Sequence, residues 1–329
     1  MNYLAIDVGG TFVKYGVITE ECLFLTKGKI PTQKDSLEEF LNMLYELYEK
    51  IAAEYKIEGI GLSMPGLIDS KKGFMYTGGF VECISNLNIV EVMEKKCGIP
   101  VTVQNDAKCA ALAELWKGAL KECSNAIVLV CGTGVGGAVI QNRNVISGNQ
   151  FVAGEFSFML TDYDADYVSK NCLAETSGVG QLLQFVADET GIPVKELDGE
   201  KAFSRANCGD EKAIRGIRRY VRHIAVQIHN CRCMVDPEKI AIGGGISEQP
   251  LFLQLINEEL QDMYKIFPWK VAAPKVVVCQ FHNDANLIGA IYVHLKSREK
   301  QFSSKKLNEL LELMGNRREV DYLKELLME

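Results

Sequence analysis

The chain lacks any apolar run close to the roughly 20 residues that a membrane helix requires, although 47% of its 329 residues are hydrophobic. It also lacks a basic stretch followed by an apolar one at its start, so export is not expected and a cytoplasmic location is. Met1 is followed almost at once by an apolar run, so an N-terminal DNA-binding domain is not expected. Positive charge is in deficit. A formal net charge of -7 argues against nonspecific nucleic-acid binding, which needs clustered Lys and Arg facing phosphates. The densest basic patch, Arg215, Arg218, Arg219 and Arg222, has helical spacing and reads as a solvated face.

Familiar motifs are missing as well. No glycine turn ends in Gly-Lys-Ser/Thr, and none forms a clean GxGxxG opening a helix. The eleven cysteines are scattered, and Cys231-Arg232-Cys233 lacks the two-residue spacing of a zinc knuckle or redox pair. Reduced, mostly buried thiols are therefore expected.

What is present is a set of three glycine-rich turns, each after an apolar run that reads as a strand. Asp7-Val8-Gly9-Gly10-Thr11-Phe12-Val13-Lys14 follows Tyr3 to Ile6. Cys131-Gly132-Thr133-Gly134-Val135-Gly136-Gly137-Ala138 follows Ala126 to Val130, and Gly243-Gly244-Gly245 follows Lys239 to Ile242. A phosphate needs several backbone N–H donors converging on it, and glycines allow the close approach. Thr11 and Thr133 add hydroxyl donors, and Lys14 adds a charge. A single such turn also suits an ordinary hairpin. Three together predict a nucleotide held between two lobes, and hence phosphoryl transfer.

The length suits two domains of ordinary size. Strands are expected at Leu4 to Val8, Val13 to Ile18, Ile57 to Leu62 and Val101 to Gln104. Helices are expected at Leu37 to Ala53, Ile89 to Cys97 and Ala107 to Leu120. A second alternating part begins at Ala126 and returns through Val135 to Ile140. It continues with helices near Ala213 to Met234 and Pro250 to Met263, a strand at Val276 to Cys279 and a helix at Asn286 to Leu295. This order predicts an α/β fold, with two halves that vary one theme. In the tail, Leu307, Leu310, Leu311 and Met314 form one apolar stripe, and Val320, Leu323, Leu326 and Leu327 another. Such stripes are expected to dock on the same chain or on a neighbouring subunit.

Two acidic sites stand out. Asp7, at a strand's end, suits a ligand to Mg²⁺, directly or through water; it also suits an aspartate stabilising its own turn. Asn105-Asp106 lies between a strand and a long helix, where Asn and Asp are preferred N-caps. Position 109 is Cys, however, so the reciprocal capping box is absent. The other reading makes Asp106 the base for a sugar hydroxyl attacking the γ-phosphate of ATP, kept ionised by nearby helix N–H groups. Spacing alone leaves both open.

On these residues the chain resembles the ROK family (repressors, open reading frames and sugar kinases) of the actin-like ATPase superfamily. The matching segments are Asp7 to Lys14, Gly61 to Asp69, Pro100 to Glu114, Gly132 to Gly137, Ala153-Gly154-Glu155 and Ile242 to Ile246. The resemblance implies a two-lobed actin-like (ribonuclease H-like) fold with the nucleotide in the cleft. It implies a small lobe of residues 1–117 completed by about 286–300 and a large lobe of 118–285; the helical tail of 301–329 is a departure, since many relatives stop close to residue 301. Asp7, Gly9, Gly10, Thr11 and Lys14 would line the first phosphate site, with Asp7 near Mg²⁺. Gly132, Thr133, Gly134 and Gly137 would line the second, and Gly243, Gly244 and Gly245 would pass the adenosine. Asn105, Asp106 and Glu155 would hold the sugar beside Gly66, with Asp106 as the base at its 6-hydroxyl and Glu175 as a further ligand. A homodimer is expected.

The chain also departs from the family. The usual Glu-x-Gly-His is Glu155-Phe156-Ser157-Phe158, and Phe158 can serve neither sugar nor zinc. The zinc motif that should follow is reduced to Asp166-Tyr167-Val168-Ser169-Lys170-Asn171-Cys172. One thiol cannot build a four-ligand site, so no zinc is expected. The resemblance then implies an ATP:hexose 6-phosphotransferase with glucose as default acceptor. A β-glucoside or N-acetylmannosamine is the alternative that Phe158 would admit. A non-catalytic sugar sensor is the rival from another class.

Overall fold

A computed structural model of the chain describes residues 1–162, 171–268 and 270–314, with side chains as far as Glu299. The first part runs β1 (Asn2–Val8), β2 (Phe12–Thr19), β3 (Phe24–Pro31), α1 (Leu37–Ala52), β4 (Ile60–Met64), β5 (Ile68–Asp69), β6 (Phe74–Met75), β7 (Leu87–Asn88), α2 (Ile89–Cys97), β8 (Val101–Asn105) and α3 (Asp106–Lys117). Then come β9 (Ala126–Cys131), β10 (Val135–Gln141), β11 (Asn144–Val145), α4 (Leu173–Ser177), α5 (Val179–Thr190), α6 (Gly199–Asn207) and α7 (Glu211–Val235). The chain continues through β12 (Lys239–Gly243), α8 (Pro250–Lys265), β13 (Val276–Val278) and α9 (Ala285–Met314).

Two five-stranded mixed sheets result, ordered β3-β2-β1-β4-β8 and β11-β10-β9-β12-β13, with a small third sheet of β5-β6-β7. The sheets repeat one plan. In each, an antiparallel hairpin (β1–β2, β9–β10) continues into parallel strands (β1–β4–β8, β9–β12–β13). Alternating residues of the central strands supply both faces, because side chains point to opposite sides with period two. Leu4, Ile6 and Val8 pack beneath α1 and α2, while Tyr3 and Ala5 pack beneath α3 and α9. Likewise Ile127 and Leu129 face α5 to α8, while Ala126 and Val128 face α3. Helices α3 and α9 thus lie between the two sheets. α9 returns the C-terminus to the first sheet, where a Cβ on Gly289 would collide with the carbonyl of Cys109. Only glycine lets the two helices cross so closely.

Glu114 lies inside this layer with 0% exposure. Its Oε2 accepts the backbone N–H of Ala119 at 2.8 Å, just past α3. Its Oε1 accepts those of Gln280 at 2.7 Å and Phe281 at 3.0 Å, just before α9. One carboxylate therefore ties both segments where the chain passes from one sheet to the other.

The predicted elements were found with shifted ends. The strand expected from Ile57 pairs only from Ile60. The last helix runs unbroken to Met314 rather than stopping at Leu295, and the expected stripe at Val320 to Leu327 lies outside the described residues. Glu114→Ala would take the partner from three part-buried N–H groups, at about 1 kcal/mol each. It should lower stability by about 3 kcal/mol or more, read as a reduced urea midpoint.

Candidate active site

The pairing register assembles one polar row at the carboxyl ends of the first sheet. Lys14 lies opposite Asp7, Asp7 beside Ser63, and Ser63 beside Gln104. Asp7, Ser63 and Gln104 are all buried. Ser63 Oγ and Asn286 Nδ2, the latter from α9, donate to Asp7 Oδ1 at 2.8 and 2.9 Å. Burial pushes the Asp7 carboxyl up, opposed by those two hydrogen bonds and by Lys14.

At the next step of the sheet the chain turns into α3. Asn105, not Asp106, is the N-cap: its Oδ1 accepts the N–H of Lys108 at 3.1 Å, and its Nδ2 donates to the Gly66 carbonyl at 3.2 Å. Asp106 is the first residue of the helix, and its Oδ1 accepts the N–H of Ala107 at 2.8 Å. Capping is thereby accomplished by its neighbour, which leaves the Asp106 carboxylate for other work. Its pKa is pushed up to about 6 by burial, with Asp7 and Glu155 adding repulsion and the Ala107 N–H opposing. A carboxylate so placed is a proton acceptor tuned close to neutral pH. Glu155, raised by burial and steadied by Lys108, stands 3.7 Å from the Lys108 ammonium. Asp7, Asp106 and Glu155 thus form one electrostatic cluster.

The third glycine turn meets the second. Gly244 has φ +91°, and a Cβ there would collide with the Cys131 carbonyl, just before Gly132. No other residue fits that approach. Gly136 of the same hairpin lies against Ala107, beside Asp106. A cavity of about 210 Å³ is lined by Lys14, Gly243, Gly244, Gly245 and Asn286 among others, which joins the first turn to the third. A Cβ on Gly245 would meet nothing within 4 Å, so that backbone is open to a ligand. Gly9 and Gly10 turn their carbonyls to Thr32 and Lys34, while Thr11 and Thr133 are exposed. Gly137 instead lies within β10, buried against Val128 and Phe156.

The residues present fit Mg²⁺ as the family implies it. Both hydrogen bonds to Asp7 fall on Oδ1, which leaves Oδ2 for a cation or its water, and a cation would offset the burial that now disfavours the charged form. Of the segment that replaces the zinc motif, residues 166–170 lie outside the described residues, and Cys172 is buried. Phe158 follows Glu155 in a short 3-10 turn and is 62% exposed. Glu175 is exposed on α4 and shares no described hydrogen bond or ion pair with the Asp106 cluster.

Sequence reasoning missed Ser63, Asn286, Lys108 and the stacked pair Tyr76 and Phe151, whose ring centroids are 5.3 Å apart. Ser63 sits in the Gly61 to Asp69 segment, which was a usable signal. Asn286 meets Asp7 only through the return of α9.

Two sheets of the same plan, with glycine turns and a carboxylate cluster between them, define a phosphotransferase-like ATPase architecture. The family model "ROK family" matches residues 3–297. The chain is 33% identical to the β-glucoside kinase of Klebsiella pneumoniae over 89% of its own length and 95% of that protein's. It is 30% identical to an N-acetyl-D-glucosamine kinase of Vibrio parahaemolyticus over 89% and 100%. A ROK family protein of Streptococcus pneumoniae TIGR4, solved in complex with sucrose, superposes with a TM-score of 0.80 at 31% identity, covering 92% of this chain and all of that one. The chain belongs to the ROK family and has its actin-like ATPase fold. Among the described residues no helix is long and apolar enough to cross a membrane.

Asn286→Ala should weaken metal binding about 10-fold or more, the usual effect of losing a group that orients a ligand. Electron paramagnetic resonance of Mn²⁺ titrated with ADP would read it.

Proposed function

We propose that this chain is an ATP-dependent sugar kinase that transfers the γ-phosphate to the 6-hydroxyl of a hexose. The observation that carries the reading is Asp106: first residue of its helix, relieved of capping by Asn105, half-buried, and pushed up to about 6 beside Asp7 and Glu155. Asp106 accepts the proton as the sugar oxygen attacks in line. Glu155 accepts a hydrogen bond from another sugar hydroxyl, and the Gly66 carbonyl, engaged by Asn105, borders the sugar. The turns at Gly9 to Thr11 and Gly132 to Gly134, with Lys14, cradle the phosphates; the Gly9 and Gly132 N–H groups brace those turns on the Phe12 and Gly134 carbonyls, so Gly10 and Gly134 are the glycine donors, and Gly243 to Gly245 pass the adenosine. Bound Mg²⁺ supplies charge neutralisation at the transferring group, with Asp7 holding it.

Among acceptors, a β-glucoside leads over glucose and the N-acetylhexosamines. Its support is the β-glucoside kinase relative and the exposed apolar Phe158 beside Glu155; an apolar wall tolerates a substituent there. In this reading the lobes span 1–117 with about 286–300, and 118–285, and the purified protein carries no zinc. Elemental analysis should find well under one zinc per chain.

A coupled ADP-release assay over glucose, cellobiose, other β-glucosides, N-acetylglucosamine and N-acetylmannosamine tests the proposal. Sugar-dependent turnover is expected, reduced about 10²–10⁴-fold in Asp106→Asn, the usual contribution of a general base. Sugar binding without turnover would move the chain to the sensor class. Because the base must be deprotonated and its pKa lies above the usual carboxylate value, kcat/KM should fall as pH drops through about 6 and level off above it.

A further inference from the structure

Lys108 is the one lysine of the described residues buried to 1% exposure, and it lies two residues into α3 from Asp106. An ammonium taken from water costs several kcal/mol unless it is paired and hydrogen-bonded, so its surroundings must answer for it. Nζ donates to the Phe151 carbonyl at 3.1 Å and faces Glu155 Oε1 at 3.7 Å. That oxygen is itself buried with no hydrogen-bond partner, whereas the Glu155 side chain as a whole keeps 19% of its surface. One carboxylate oxygen is therefore turned inward to the ammonium, and the remaining exposure belongs to the part of the group that faces out. Phe151 stands at φ +62°, a costly conformation for an aromatic residue. It presents its carbonyl to Lys108 and its ring to Tyr76 of the first sheet's side of the cleft.

We propose that Lys108 is a positioning residue for the sugar site: its ammonium pins Glu155 Oε1 and the Phe151 carbonyl, so that Glu155 Oε2 is presented to a substrate hydroxyl. The inference rests on Glu155 being a sugar ligand. It goes further in assigning the orientation of that ligand, and of the 151–155 loop, to a side chain that never touches the sugar. A lysine placed only to neutralise a buried carboxylate would affect stability and leave recognition of hydroxyls unchanged.

Equilibrium sugar binding, followed calorimetrically without ATP, separates the two. Lys108→Met should raise the sugar dissociation constant about 10–100-fold, the scale on which a misplaced group costs binding and turnover, and leave the affinity for ADP unchanged. Lys108→Arg should restore part of the loss. Against a series of monodeoxy sugars, Lys108→Met and Glu155→Gln should lose discrimination at the same hydroxyl, and the double variant should bind no worse than Glu155→Gln alone. If Glu155→Gln weakens binding and Lys108→Met does not, the positioning role is overturned. If Glu155→Gln also leaves binding unchanged, the assignment of Glu155 falls and Lys108 with it. Binding and discrimination as expected, without turnover in any assay, would overturn the kinase reading and keep this one. A measurement without substitutions guards against misfolding: the ¹⁵N signal of the buried Lys108 side chain should shift when the sugar binds, and an unmoved signal at saturation overturns the proposal.

Discussion

Everything in this chain that brings two distant glycine turns to one cleft depends on how α3 is held between the sheets. The constraint is the carboxylate of Glu114, which accepts backbone N–H groups from Ala119, Gln280 and Phe281. A buried carboxylate is tolerable only when hydrogen bonds replace its water, and backbone donors are the ones a rotamer change cannot remove. Because those donors belong to both passages between the sheets, α3 is fixed to both. Its N-terminus carries Asp106, so the reacting end of the helix is positioned by bonds made at its other end. Gly289 completes the arrangement by letting α9 lie close enough to bring Asn286 to Asp7.

The site follows from sheet geometry as much as from particular residues. Parallel strands end on one edge, and β1, β4 and β8 end there with Asp7, Ser63 and Gln104 in one row. Polar residues so deep in a sheet would be a liability in a purely structural protein, since each must find a partner. Here Ser63 donates to Asp7, while Gln104 donates to Ser70 and accepts the Asn105 N–H. The same row turns directly into the α3 N-terminus, so phosphate-side and sugar-side groups share one rigid frame.

The sequence made the architecture and the ROK-type sugar-kinase class legible. Strand, turn and helix succeed one another with the right polarity, and the glycine turns mark the strand ends. What escaped it has identifiable causes. β3 alternates Lys27 and Lys29 with less exposed residues at the sheet edge, a pattern that protects edges and does not resemble a core strand. Lys108 and Glu114 are charged residues in a helix, a combination that local pattern assigns to solvent; burial alone reveals them. Asn286 lies 279 residues from Asp7, so no local signal pairs them. The last helix continues through 301–314 because no Gly or Pro stands between Leu295 and Met314, and an apolar stripe marks a face rather than a helix start.

The cleft is also electrostatically unfinished, and that is part of its function. Asp7 and Glu155 both raise the pKa of Asp106, and burial raises all three. Lys108 eases Glu155, and the Asn286 and Ser63 hydrogen bonds ease Asp7 ahead of Lys14, whereas Asp106 is eased by backbone N–H groups alone. A group left in that condition in low dielectric gains most from taking up a proton. The sugar hydroxyl is the proton donor that the proposed reaction delivers to that position. In the proposed reaction, the clustering that disfavours the ionised empty cleft would make Asp106 an effective acceptor.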